Sequence, residues 1–120
     1  MATGAIGQND NISHAILWRP IIAPPNNIID INDKLPSTNT KAEAHGINKH
    51  LQVVGWNISP LGFAFRYDDA SKVAVNLNDE IRSDLGWTLD NASKINDFGQ
   101  IIGTGTHNGA GAAFLLTPNR

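Results

Sequence analysis

Along this chain, apolar residues recur at every second position in short runs. In "GFAFRY", Phe63, Phe65 and Tyr67 fall on one side, and Ala64 and Arg66 on the other. A period of two marks a β-strand, because successive side chains point to opposite faces. The same phase recurs at His14, Ile16 and Trp18, and at Ala112, Phe114 and Leu116. "NIIDIN" places Ile29 and Ile31 as "KVAVNLN" places Val73, Val75 and Leu77. β-Branched and aromatic residues dominate these runs. No window sustains a 3.6-residue apolar period over the length of a helix. Ala15, Ala64 and Ala113 stand in the alternate phase, which predicts a face that another sheet approaches closely.

The runs repeat in order. "KINDFGQIIG" follows "GINKHLQVVG" by 48 residues, with Ile, Asn, Gln and a closing Gly at shared offsets. Ile6-Gly7, Val54-Gly55 and Ile102-Gly103 are spaced 48 and 48, and the three alanines 49 and 49. "IIDIND" precedes "AVNLND" by 46. One unit reads as four strands: "AEAHGIN" or "NASKIN"; "QVVGWN" or "QIIGTGT"; "HAILW", "GFAFRY" or "AAFLLT"; and "NIIDIN" or "KVAVNLN". About ten strands result, in one domain over 1–120: a partial unit 1–40, a full unit 41–85 and a partial unit 86–120. The expected fold is all-β, with antiparallel four-stranded blade-like repeats forming an incomplete β-propeller or an open stacked-sheet array. A propeller needs about four blades. This chain is therefore a piece of a longer array, a self-assembling unit, or an open domain.

Composition narrows the function classes. With 41% hydrophobic and 17% charged residues, the chain is too apolar for disorder, and it lacks a run long enough for a membrane span. A net charge of −2 without a basic block argues against nucleic acid and anionic membranes. Without cysteine there is neither a disulfide framework nor a cysteine zinc site. The start "MATGAIGQND" lacks the basic and apolar regions of a signal peptide, so no export is expected of the chain as written. The 14 asparagines, 11 glycines and 6 prolines are turn chemistry.

The series "HAILW", "AHGINKHLQVVGW", "GFAFRYDD", "VNLNDEI" and "GWTLDNASKINDFGQIIGTGTHNGAGAAFLLTP" resembles the bacterial HAF-type extracellular repeat proteins. Residues 86–118 are the nearest to that pattern. The resemblance implies a β-propeller-like architecture, an extracellular or cell-envelope location, and no established catalytic activity. It carries over no ligand or catalytic residue. Leu51 departs from the pattern where the later copy has Gly99, and the first unit lacks its Ile-Asn patch.

Candidate chemistry is sparse. His14, His45, His50 and His107 have no spacing suited to a zinc site. Acidic and amide clusters at Asp30-Asn32-Asp33, Asp68-Asp69 and Asn76-Asn78-Asp79-Glu80 lack the alternation of a calcium loop and read as strand ends and turns. No nucleophile elbow, phosphate loop or dinucleotide fingerprint is present. "GTGTHNGAG" reads as a hairpin loop. Trp18 and Trp56 are placed at strand ends and Trp87 in a connection between units. The candidate binding surface is Trp56, Asn57, Trp87, His107 and Asn108. Asn96, Asp97 and Gly99 are structural turn residues, and Leu51 predicts a turn that differs or is strained. The expected function is a non-enzymatic interaction or structural module without cofactor or metal. Its partner is a protein or glycan, and homo-oligomers are expected. The alternatives are a carbohydrate-binding module using loop aromatics and an accessory fragment of a larger enzyme.

Overall fold

The period-two runs become ten strands in the computed structural model, which describes residues 2–7 by their backbone and 13–19, 22–24, 26–36, 41–59 and 62–118 in full. The strands are β1 (Ala2–Gly7), β2 (Ser13–Trp18), β3 (Ile28–Asp30), β4 (Lys41–Ile47), β5 (Gln52–Ser59), β6 (Phe63–Asp68), β7 (Val73–Asn76), β8 (Trp87–Ile95), β9 (Ile101–His107) and β10 (Ala110–Leu116). They form three small antiparallel sheets, ordered β1-β2-β3, β4-β5-β6-β7 and β8-β9-β10, none closed into a barrel. Among the described residues there is no α-helix.

Three sequence expectations are corrected. The fourth strands are short, because "INDK" and "LNDE" turn into 3-10 segments at Ile31–Lys34 and Leu77–Glu80. Their strands end where Asp30 and Asn76 bend a side-chain oxygen onto the amide two residues ahead, at 3.0 and 2.9 Å. Trp87 is the first residue of β8, and Trp56 lies inside β5. The glycine-rich "GTGTHNGAG" is mostly strand, with a turn of only Asn108 and Gly109, both at positive φ (52° and 85°).

Two cores separate the sheets. Ala15, Leu17 and Ile31 of the first sheet meet Ala42, Val53, Phe63, Phe65 and Tyr67 of the second. Val54, Ala64 and Leu77 of the second meet Leu89, Ala92, Ile101 and Phe114. Phe65, Tyr67, Leu17, Leu77 and Leu89 are fully buried, each contributing about 1.5–3 kcal/mol. Ala15 and Ala64 touch the following sheet through their small side chains, as the alternation predicts, whereas Ala113 is exposed.

The closing glycines of the repeated patches have a steric cause. The strands β4 and β8 slip register at Ala44/Gly46, Leu89/Asn91 and Ala92/Lys94, which pushes carbonyls toward their neighbours. A Cβ at Gly55 would lie 1.9 Å from the Glu43 carbonyl oxygen, and one at Gly103 2.0 Å from that of Asn91. Gly111 has open space instead. Gly103→Ala is therefore expected to cost about 3 kcal/mol in urea unfolding, and Gly111→Ala under about 0.5 kcal/mol. Equal costs would remove the steric explanation.

Candidate functional site

Two asparagines build two turns in the same way. Asn48 Oδ1 accepts the amides of His50 and Gln52, both at 3.0 Å, and its Nδ2 donates to Gln52 Oε1 at 2.7 Å. Asn96 Oδ1 accepts from Phe98 and Gln100 at 3.0 and 2.9 Å, and its Nδ2 donates to Gln100 Oε1 at 2.9 Å. Each turn closes on a residue at positive φ, Gly99 at 82° and Leu51 at 57°. The turns therefore do not differ in their internal hydrogen bonds. The cost of a side chain there, about 1–2 kcal/mol, rests on Leu51 alone.

The turns are also stacked. Asn48 Nδ2 donates to the Asn96 carbonyl at 3.0 Å, and the Lys49 amide donates to Asp97 Oδ1 at 2.9 Å. A second polar clamp joins the same sheets: Asn78 Oδ1 accepts the Leu89 amide at 2.7 Å, and its Nδ2 donates to the Leu89 carbonyl at 2.9 Å. Asn32 holds β2 of its own sheet likewise, accepting from Ala15 and donating to the Ser13 carbonyl, both at 3.0 Å. The amide and acidic clusters of the sequence are thus engaged in connections. Among the described residues no three His, Asp or Glu side chains gather to hold a metal.

Asp69 forms a cluster that the sequence did not reveal. Its carboxylate accepts from Tyr67 Oη at 3.0 Å, Lys72 Nζ at 2.8 Å and, across from the first sheet, Arg19 Nη1 at 3.1 Å. Burial favours the neutral acid, but the Lys72 and Tyr67 hydrogen bonds and the Arg19 charge outweigh it and hold the carboxyl below its ordinary value. Burial, with the bond to Asp69, pushes Tyr67 up. Arg66 is raised: burial opposes its charge, but Asp68 and Glu80, at 2.8 Å each, prevail. The only sequence signal for the Asp69 cluster was the two-residue spacing of Tyr67 and Asp69, which puts both on one side of an extended chain.

The proposed binding residues separate. Trp87 and His107 pair across β8 and β9 and stack, with centroids 4.5 Å apart and planes 20° apart. The His107 ring also lies 3.1 Å from the Leu85 carbonyl through Nε2. Asn108 joins them, its amide donating to the Gly86 carbonyl at 2.8 Å. Trp56 is on the second sheet, half-buried opposite Ala64. Asn57 is fully buried and meets no solvent. A cleft of 390 Å³ opens elsewhere, between Arg66, Leu77, Glu80 and Ile81 on one side and Ile101 and Leu116 on the other. No helix among the described residues is long and apolar enough to cross a membrane. No protein-family model, curated protein or solved structure matches this chain.

Two outcomes follow from the polar contacts. Asn48→Ala is expected to cost about 3 kcal/mol in chemical unfolding and Asn96→Ala about 1–2 kcal/mol, because only Asn48 also ties one turn to the other. Asp69→Asn is expected to cost about 3 kcal/mol at pH 7. A depressed carboxyl stabilises fully above the unfolded value of about 3.9 and loses that contribution as pH falls through the lower folded value. The gap between variant and parent should therefore close only in acid, as unfolding midpoints from pH 7 to pH 2 will read.

Proposed function

We propose that this chain is a non-enzymatic structural and interaction module, an incomplete blade-like β-repeat array whose two end faces each take up a further sheet. The observation that supports the reading is that the end faces are opposite halves of one kind of interface. On the outer side of the first sheet lie Ile16, Trp18 and Ile28, with Trp18 paired to Ile28 and the two 43% and 52% exposed. Ile16 and Trp18 hold the positions that Phe65 and Tyr67 hold on the second sheet, where a preceding sheet covers them. On the outer side of the third sheet, Ile102 pairs with Leu115, at 46% and 61% exposure. Ile102 and Ala113 there correspond to Val54 and Ala64, which a following sheet covers. The second amide proton of Asn96 has no partner among the described residues, whereas Asn48 gives its own to the next turn.

Unlike faces that complement each other make a head-to-tail contact. No specific observation favours glycan binding over this reading: Trp87 gives one ring face to His107, and Asn57 is inaccessible. The sequence resemblance adds the expectation of a cell-surface setting.

Light scattering across concentration tests the module. The mass is expected to rise with concentration, and Trp18→Glu or Leu115→Glu alone to hold the chain monomeric. Mixing those two variants should give a 1:1 dimer, because each retains the face that the other has lost. A strictly monomeric parent, or a mixture that stays monomeric, would sink the proposal.

A further inference from the structure

We infer that His45 is a proton-controlled tie between the second and third sheets. While its ring is protonated it holds the Ala92 carbonyl of β8, and when the ring loses a proton it lets that carbonyl go. The joint is separate from the sheet faces on which the array reading rests, and the inference does not depend on that reading.

The strands β4 and β8 stand at the edges of their sheets and pack against each other. Each carries an extra residue at the same place. His45 stands between Ala44, paired with Gly55, and Gly46, paired with Val54. Ser93, 48 residues on, stands between Ala92, paired with Gly103, and Lys94, paired with Ile102. An extra residue breaks the alternation of a strand and re-aims its side chain. Gly46 then lets the two strands close: a Cβ there would lie 3.2 Å from Lys94 Cα and 3.3 Å from the Ile95 amide nitrogen. Of the two extra residues, only His45 can titrate.

The His45 ring meets an acceptor at each nitrogen. Nδ1 lies 3.3 Å from the Ala92 carbonyl oxygen, and Nε2 lies 3.1 Å from Glu43 Oε1. Neither a carbonyl nor an ionised carboxylate donates, and a neutral imidazole has one N–H. Only the imidazolium makes both contacts. When one proton leaves, the remaining N–H goes to Glu43, because the bond to a charged acceptor is the stronger, and the Ala92 carbonyl loses its partner. The His45 and Glu43 side chains are 27% and 39% exposed, so the proton has a path to water.

No other charge competes for the ring. The remaining charged residues of β4 and β8 are Lys41, Asp90 and Lys94, and none of them forms an ion pair with His45 or Glu43 among the described residues. The strands β1 and β5 have no titratable side chain, and His14 of β2 is held by Asp30.

Long-range 1H–15N spectra of the ring, with amide-exchange protection factors in β8, test the tie on the full chain from about pH 5 to about pH 9. Hydrogen is expected on both ring nitrogens at the acid end and on Nε2 alone at the alkaline end. Protection of residues 91–95 should fall about threefold to tenfold as the ring titrates, the effect of one lost hydrogen bond. In Glu43→Gln the side-chain amide can donate to Nε2, so the neutral ring keeps its hydrogen on Nδ1 and the protection should no longer follow pH. His45→Ala should show the lower protection at every pH. Four results would overturn the inference: a ring that does not titrate in this range, an alkaline ring with its hydrogen on Nδ1, protection that stays constant as the ring titrates, or an unchanged pH dependence in either variant.

Discussion

The middle sheet carries large apolar side chains on both faces, so it is stable only between two others. Val53 and Val54 are neighbours in β5, yet one enters the first core and the other the second. Phe63, Phe65 and Tyr67 need cover on one side, and Ala64 leaves room for it on the other. A sheet with no solvent face sets the order of everything around it. The first and third sheets are its covers, and each cover has an outer face to which the same demand passes on. The overall extents of 45 × 35 × 18 Å describe a slab rather than a sphere, in keeping with thin cores between stacked sheets.

Apolar contact alone does not set how stacked sheets register, because it has no direction. Here the direction comes from asparagine. A side-chain amide is a donor and an acceptor at fixed separation, so it can clamp the N–H and the C=O of one residue together. Asn78 does this to Leu89, and Asn48 uses its spare proton on the Asn96 carbonyl. Asp69 serves the other seam with charge, drawing Arg19 of the first sheet onto the second. The cost of this design is local: Leu51 holds a left-handed backbone so that the Asn48 turn keeps the same bonds as its counterpart at Gly99.

The strands were legible because period two survives without context. Their ends were less so. "DIND" and "NLND" read as strand termini, but whether Asp30 and Asn76 cap a 3-10 segment depends on a side-chain rotamer that no periodicity encodes. The aromatic candidates show the same limit. Trp87, His107 and Asn108 meet because the β8–β9 register places Trp87 opposite His107. As a loop residue Asn57 belongs to the same candidate set, but it lies inside β5 and is fully buried. The Asp69 cluster joins residues 50 apart, Arg19 and Asp69, which no local pattern connects.

By itself, then, the sequence determined the kind of element, the order of the strands and the spacing of the turns, because alternation, glycine and asparagine act over a few residues. Only the tertiary structure decided which faces are covered and which glycines a neighbouring carbonyl forbids to change. Those depend on register and stacking between strands far apart in the chain, and such contacts are settled by what each face can bury and each backbone group can pair with.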